Sequence, residues 1–201
     1  MVVGVAGGEF PDGMVVGLPA PARRPAGWVA EVHLAGPGPV PHRVVIADAL
    51  VPGAPALWYV LLPGTASAVD LVAFSTADRT DGDVLDATQF ALLGIAWSNQ
   101  VGGLRWDTVS GLVTQAYVAP AVRRRGVGTK LAAAAASLAA GRGWAALHAD
   151  DRRTDLGEAW VTGVRARSWI ELPERASWAP PMTPPEEAAG VTQRNLVPDP
   201  Q

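Results

Sequence analysis

The stretch richest in usable chemistry reads Val118-Ala119-Pro120-Ala121-Val122-Arg123-Arg124-Arg125-Gly126-Val127-Gly128-Thr129-Lys130-Leu131. Just after it begins, Val127, Leu131, Ala135 and Leu138 recur at i, i+4, i+8 and i+11 through a run of alanines, which predicts a helix with those residues along one side. The glycines and basic residues therefore stand at a helix start. There about four backbone N–H groups lack helical partners and the aligned peptide dipoles place roughly half a positive charge. Glycine lets a phosphate come close to the main chain. Arg123, Arg124, Arg125 and Lys130 add mobile charge, and the Thr129 hydroxyl adds a donor. A pyrophosphate is the occupant these groups suit. Two familiar nucleotide loops do not fit: the P-loop needs Lys before Ser/Thr, whereas Thr129 precedes Lys130, and the dinucleotide fingerprint needs glycine where Leu131 stands.

Charge distribution points the same way. The chain carries −3 overall, which gives no general reason to expect nucleic acid. Between Asp107 and Asp150 there is no Asp or Glu, yet Arg123, Arg124, Arg125, Lys130 and Arg142 fall there, for a local +5 against −8 elsewhere. One segment faces an anion. A triple arginine alone is an ordinary solvated turn; the ordered succession of strand, proline, glycine turn, alanine helix, glycine stop and strand lifts this one above that reading.

Arg123-x-x-Gly126-x-Gly128, preceded by a strand ending Tyr117-Val118-x-Pro120 and followed by a leucine-bearing helix and a short strand, resembles the GNAT family of N-acetyltransferases. Its central motif is Arg/Gln-x-x-Gly-x-Gly/Ala after a strand of the form Val-x-Pro. The resemblance covers about Leu112 to Trp160. It implies an α/β fold: a mixed, mainly antiparallel sheet with a splayed parallel strand pair and flanking helices. It also implies acetyl-CoA as co-substrate, with the pyrophosphate held by Arg123, Arg124, Arg125, Gly126, Val127, Gly128, Thr129 and Lys130. Backbone groups around Tyr117 and Val118 would hold the pantetheine arm and the thioester carbonyl. The implied activity is transfer of an acyl group, acetyl first, from coenzyme A to an amine on a small molecule or a protein. The alternative is a non-catalytic acyl-CoA-binding or interaction protein that retains the fold.

Aminolysis of a thioester needs a neutral amine, a donor for the tetrahedral oxyanion and a proton for the departing thiolate. Where the family has an Asn-x-x-Ala-x-x-x-Tyr helix, this chain has Arg153 to Trp160, and an indole N–H is a poor proton source. His148 and Tyr117, on the two strands expected to splay, are the remaining catalytic candidates. A histidine titrates in the range that proton transfer needs, although a lone one at a strand end also reads as structural, as does a strand tyrosine. Alternation puts Thr114 and Ala116 on one face and Gln115 and Tyr117 on the other. Asp150, Asp151, Asp155 and Glu158 form an acidic patch that suits a cationic amine or, more simply, a helix start.

Without cysteine there is no disulfide, thiolate nucleophile or cysteine zinc site. Asp78, Asp81, Asp83 and Asp86 lack the calcium-loop spacing, so no metal is expected.

These residues need a scaffold, and 201 residues with 49% hydrophobic composition suffice for one domain with extensions. Twenty-two glycines and 18 prolines predict long irregular stretches. We read 1–26 as a loose arm with one short strand at Met14 to Leu18, 27–172 as the acyltransferase domain, and 173–201 as a proline-rich tail. Strands are predicted at Trp28 to Leu34, Arg43 to Ala47, Leu57 to Leu62, Val69 to Ser75, Phe90 to Ser98, Leu112 to Val118 and Trp144 to Ala149. A Gly-Pro-Gly-Pro turn stands at 36–39 and a loop at Asp78 to Asp86. The strand–helix–strand unit from Leu112 makes its two strands parallel. A last helix starts at Thr154 or Asp155 and runs to about Arg165, with Leu156, Ala159, Trp160 and Val164 on one face. Ser168 to Leu172 is the candidate for a final strand. Met1 to Leu18 carries Glu9, Pro11, Asp12 and five glycines and resembles neither a signal peptide nor a membrane span. The expectation is a cytoplasmic protein that meets neither membrane nor nucleic acid, with a homodimer as an open option.

Overall fold

The computed structural model describes residues 2–6, 14–18, 28–35, 40–164 and 173–179. Short apolar runs broken by glycine and proline give β1 (Val2–Ala6), β2 (Met14–Leu18), β3 (Trp28–Ala35), β4 (Val40–Ile46), β5 (Trp58–Pro63), β6 (Ala68–Phe74) and β7 (Val84–Leu85). Then follow α1 (Ala87–Ala91), β8 (Gly102–Asp107), β9 (Leu112–Val118), α2 (Val127–Arg142), β10 (His148–Ala149), β11 (Arg152–Arg153), α3 (Asp155–Val164) and β12 (Ser177–Trp178).

The fold is mixed α/β with a mainly antiparallel six-stranded sheet, ordered β10-β9-β8-β6-β5-β7. Its parallel pairs are β5 with β7 and β9 with β10. A second sheet, ordered β2-β1-β3-β4, is antiparallel throughout. Alternation along β3 sends Ala30, Val32 and Leu34 inward to meet Val44 and Ile46 of β4.

Between the two sheets lies α2, which touches β3 and β4 on one side and β8 and β9 on the other. The alanine run explains why. A helix with a sheet on each side exposes little of its surface, so most of its length is apolar on every side, and small side chains let both sheets approach. Ala132, Ala133, Ala134, Ala135 and Ala139 are all buried, where the sequence predicts one apolar side. The single buried hydroxyl on it, Ser137, donates to the Ala133 carbonyl at 2.7 Å. Gly143, with φ 66°, closes the helix.

Several expectations are corrected. Phe90 to Ser98 is not a strand: Asp86 accepts from the Gln89 amide, and the Gln89 side chain accepts from the Asp86 amide, a capping box that starts α1. The strand lies one step later at Gly102–Asp107. Of Trp144 to Ala149 only His148 and Ala149 pair. The loop from Asp78 ends in β7. The stretch 1–26 holds Val2–Ala6 as well as the expected Met14–Leu18, and the two pair with each other. The face of α3 also differs, for Val161 is buried while Leu156 is 50% exposed. Part of the stretch that follows Leu172 is held against the residues before α3. Arg153, itself buried, donates to the Asp150 and Pro173 carbonyls and to Glu158, and β12 pairs with β11. The 36–39 turn, Ser168 to Leu172 and the tail beyond 179 lie outside the described residues.

Candidate functional site

β9 pairs with β10 only at Leu112↔His148 and Val113↔Ala149, while its antiparallel pairing with β8 continues to Val118. The cause is local. Trp106 faces Val113 and Arg105 faces Gln115, so Thr114 is an extra residue, a bulge that bends and twists the strand. Because side chains alternate, one inserted residue also swaps the faces beyond it. Val113 and, past the bulge, Ala116 and Val118 lie on the α2 side of the sheet, while Gln115 and Tyr117 turn to the opposite face. Beyond Val113 the β10 side of β9 has no strand partner among the described residues, and Thr114, Gln115, Ala116 and Tyr117 are exposed.

The Ala119 amide donates to the Val101 carbonyl at 2.9 Å. Antiparallel alternation then assigns the amides of Tyr117 and Gln115 to β8 and turns those of Val118 and Ala116 toward the open edge. Of the two backbone positions proposed from the sequence, Val118 is the one at the edge. Its carbonyl is already taken by Arg123 Nε at 3.0 Å.

That edge ends at the start of α2. Gly126, at φ 80°, is its N-cap and has no side chain to offer, so no side-chain cap meets the amides of Val127, Gly128 and Thr129. Arg124 also has a positive φ, 62°. Arg124 and Arg125 are exposed and, among the described residues, have no hydrogen-bonded or ionic partner. Both glycines are required by packing as well. A Cβ at Gly126 would stand 2.7 Å from Val51 Cγ1 and 3.0 Å from Ala54 Cβ; one at Gly128 would stand 3.0 Å from Trp160 Cδ1. Val127 is buried beneath the loop and Thr129 half-buried beside it.

Lys130 is not part of this surface. It is buried, and its Nζ reaches both Asp81 carboxylate oxygens at 2.8 and 3.0 Å and the Pro55 carbonyl at 3.1 Å. The sequence held a signal: Lys130 follows Val127 by three and precedes Leu131, so it shares their inward side. Asp81 also accepts from the Leu57 amide at 2.7 Å, tying the loop before β5 to the helix. Beside it the Tyr59 hydroxyl has its pKa pushed far up by burial and by the Asp81 charge. A cavity of about 520 Å³ lies between residues 46–54 and Lys130.

The two proposed catalytic residues are not brought together. His148 is half-buried opposite Leu112, where the strand pair is closed, and Tyr117 is five residues along, roughly 16 Å at strand rise. Trp160 lies over the helix start and donates its indole N–H to the Gly128 carbonyl at 3.2 Å. The acidic patch is largely committed: Glu158 to Arg153 at 2.8 Å, Asp155 to Arg175 at 3.0 Å. Asp150 is held below the usual carboxylate range, chiefly by the Arg152 amide. Likewise Asp83 binds the Thr80 amide and Asp86 caps α1. Among the described residues no group of three or more His, Asp or Glu is placed to hold a metal, and no helix is long and apolar enough to cross a membrane.

No protein-family model, curated protein or solved structure matches the chain.

Proposed function

We propose that the chain is an acyl-CoA-dependent N-acyltransferase of GNAT type, moving an acetyl group from acetyl-CoA to an amine. The observation that carries this reading is the open β9 edge, which runs from the Thr114 bulge to Val118 and ends at a helix start without a side-chain cap. Amides of Val127, Gly128 and Thr129 suit a pyrophosphate, with the unpartnered Arg124 and Arg125 guanidinium groups beside them. From Val118 back to Thr114 the edge spans about 14 Å, a match for an extended pantetheine arm. The thioester would then lie by the bulge, within reach of the Ala116 amide as oxyanion donor. There the amine nitrogen attacks the carbonyl carbon; a C–N bond forms, the C–S bond breaks, and the amine proton ends on the departing sulfur.

A second reading, a non-catalytic acyl-CoA-binding protein, draws on Trp160. The indole standing where the family motif has tyrosine is bonded to Gly128 and is no acid. Titration calorimetry with acetyl-CoA, followed by thiol release with a panel of amines, separates the readings. Binding with release supports the enzyme and binding without release the second reading. No binding overturns both.

A further inference from the structure

We infer that the face of the six-stranded sheet away from α2 is the acceptor site, and that the acceptor is a primary amine on a flat aromatic body. This rests on the acyl-transfer reading above and adds the substrate class. Pairing registers align side chains there in two rungs. One is Leu62, Asp70, Arg105 and Gln115; the next is Val60, Val72, Gly103 and Tyr117. Gly103 leaves the second rung without a side chain in its middle, and a Cβ built there would meet only the Leu71 carbonyl oxygen, at 3.7 Å. The gap is the floor of a trough of about 380 Å³ that Trp97, Gln100 and Tyr117 also line.

The ends of the trough differ in chemistry. At one end the Trp97 indole is 45% exposed and backed by the rings of Phe90 and Phe74, with centroids 4.1 and 6.1 Å away. It offers a fixed aromatic face on which a second ring stacks. At the other end Arg105 grips Asp70 through Nε at 2.6 Å and Nη2 at 2.8 Å. The pair cancels its own charge. A polycation would need surplus carboxylates and an amino acid a spare guanidinium, and the rung offers neither. It does offer carboxylate lone pairs and the Gln115 amide, acceptors for the N–H groups of one amine. Gln115 adjoins the bulge, where the pantetheine arm ends. The rungs stand about 7 Å apart, the span of a ring on a two-carbon arm.

The test uses the full chain, with 2-phenylethylamine, butylamine and 1,4-diaminobutane as acceptors and acetyl-CoA affinity measured separately. Expected is a kcat/KM for 2-phenylethylamine at least tenfold above the others. Trp97→Ala raises its KM about tenfold and that of butylamine less than twofold. Gly103→Val, a good strand residue that fills the floor, removes turnover of 2-phenylethylamine while acetyl-CoA affinity holds. Acetyl-CoA binding with no aromatic preference, or with Gly103→Val turning over normally, overturns this inference alone. Failure to bind acetyl-CoA overturns it together with the reading on which it rests.

Discussion

The Trp160 indole and Gly128 fit each other twice over. The ring N–H donates to the Gly128 carbonyl at 3.2 Å, and the ring edge occupies the space that a Gly128 side chain would need. One contact thereby docks α3 against the first turn of α2 and fixes how near the third helix stands to the arginine-bearing loop.

Gly128→Ala places a methyl group 3.0 Å from Trp160 Cδ1. The expected cost is about 1–3 kcal/mol, as for other overpacked sites, read from urea unfolding. In a Trp160→Leu background at least half of that cost disappears, because two side chains in contact do not act additively. An undiminished cost in the double variant contradicts the contact.

Arg124→Glu with Arg125→Glu reverses two exposed charges without touching packing. Acetyl-CoA affinity falls at least tenfold and the melting temperature stays within 2 °C or so, since surface changes of this kind are nearly neutral. These variants test the loop better than glycine replacements, which press on Val51, Ala54 or Trp160. Unchanged affinity contradicts the anion site.

Lys130→Met separates architecture from ligand. It strips Asp81 of its cation and leaves the Pro55 carbonyl without its partner, at an expected cost of about 2 kcal/mol. Acetyl-CoA affinity of the folded fraction changes less than threefold. A larger loss of affinity than in the arginine variant would return Lys130 to the ligand.

Asp107 sets the turn between β8 and β9. The Ser67 hydroxyl, then the Ser110 amide and hydroxyl, hold its pKa down at about 2, below the unfolded value of about 3.9. A carboxylate depressed on folding stabilises above its unfolded pKa and ceases to do so as pH falls through the folded one. The urea midpoint therefore declines from about pH 4 to pH 2. Asp107→Asn starts lower at neutral pH and flattens that acid limb; an unchanged slope contradicts the assignment.

Local signals made much of the site region legible. Pro120, the glycine pair and the alanine run fix where β9 stops and α2 starts, and Leu112–Val118 and the onset at Val127 stand where the residues indicate. Features decided by distant partners were not legible. The Thr114 bulge exists only relative to Arg105 and Trp106, so a period-2 reading of β9 cannot foresee that Val113 and Tyr117 face opposite ways. Phe90 opens an apolar run that reads as strand until the Asp86 and Gln89 cap is weighed. The trough depends on Gly103 lying between Val72 and Tyr117, a lateral relation no linear spacing reveals.

Sandwiching α2 between two sheets has a consequence for anyone cutting the gene. The motif-bearing stretch is not a portable cassette: removing residues 1–46 strips one wall from the helix and wets its alanines, with Val32 no longer lying against Gly141. A shortened product is expected in inclusion bodies, and grafting the arginine loop onto another scaffold must bring Val51 and Ala54 along.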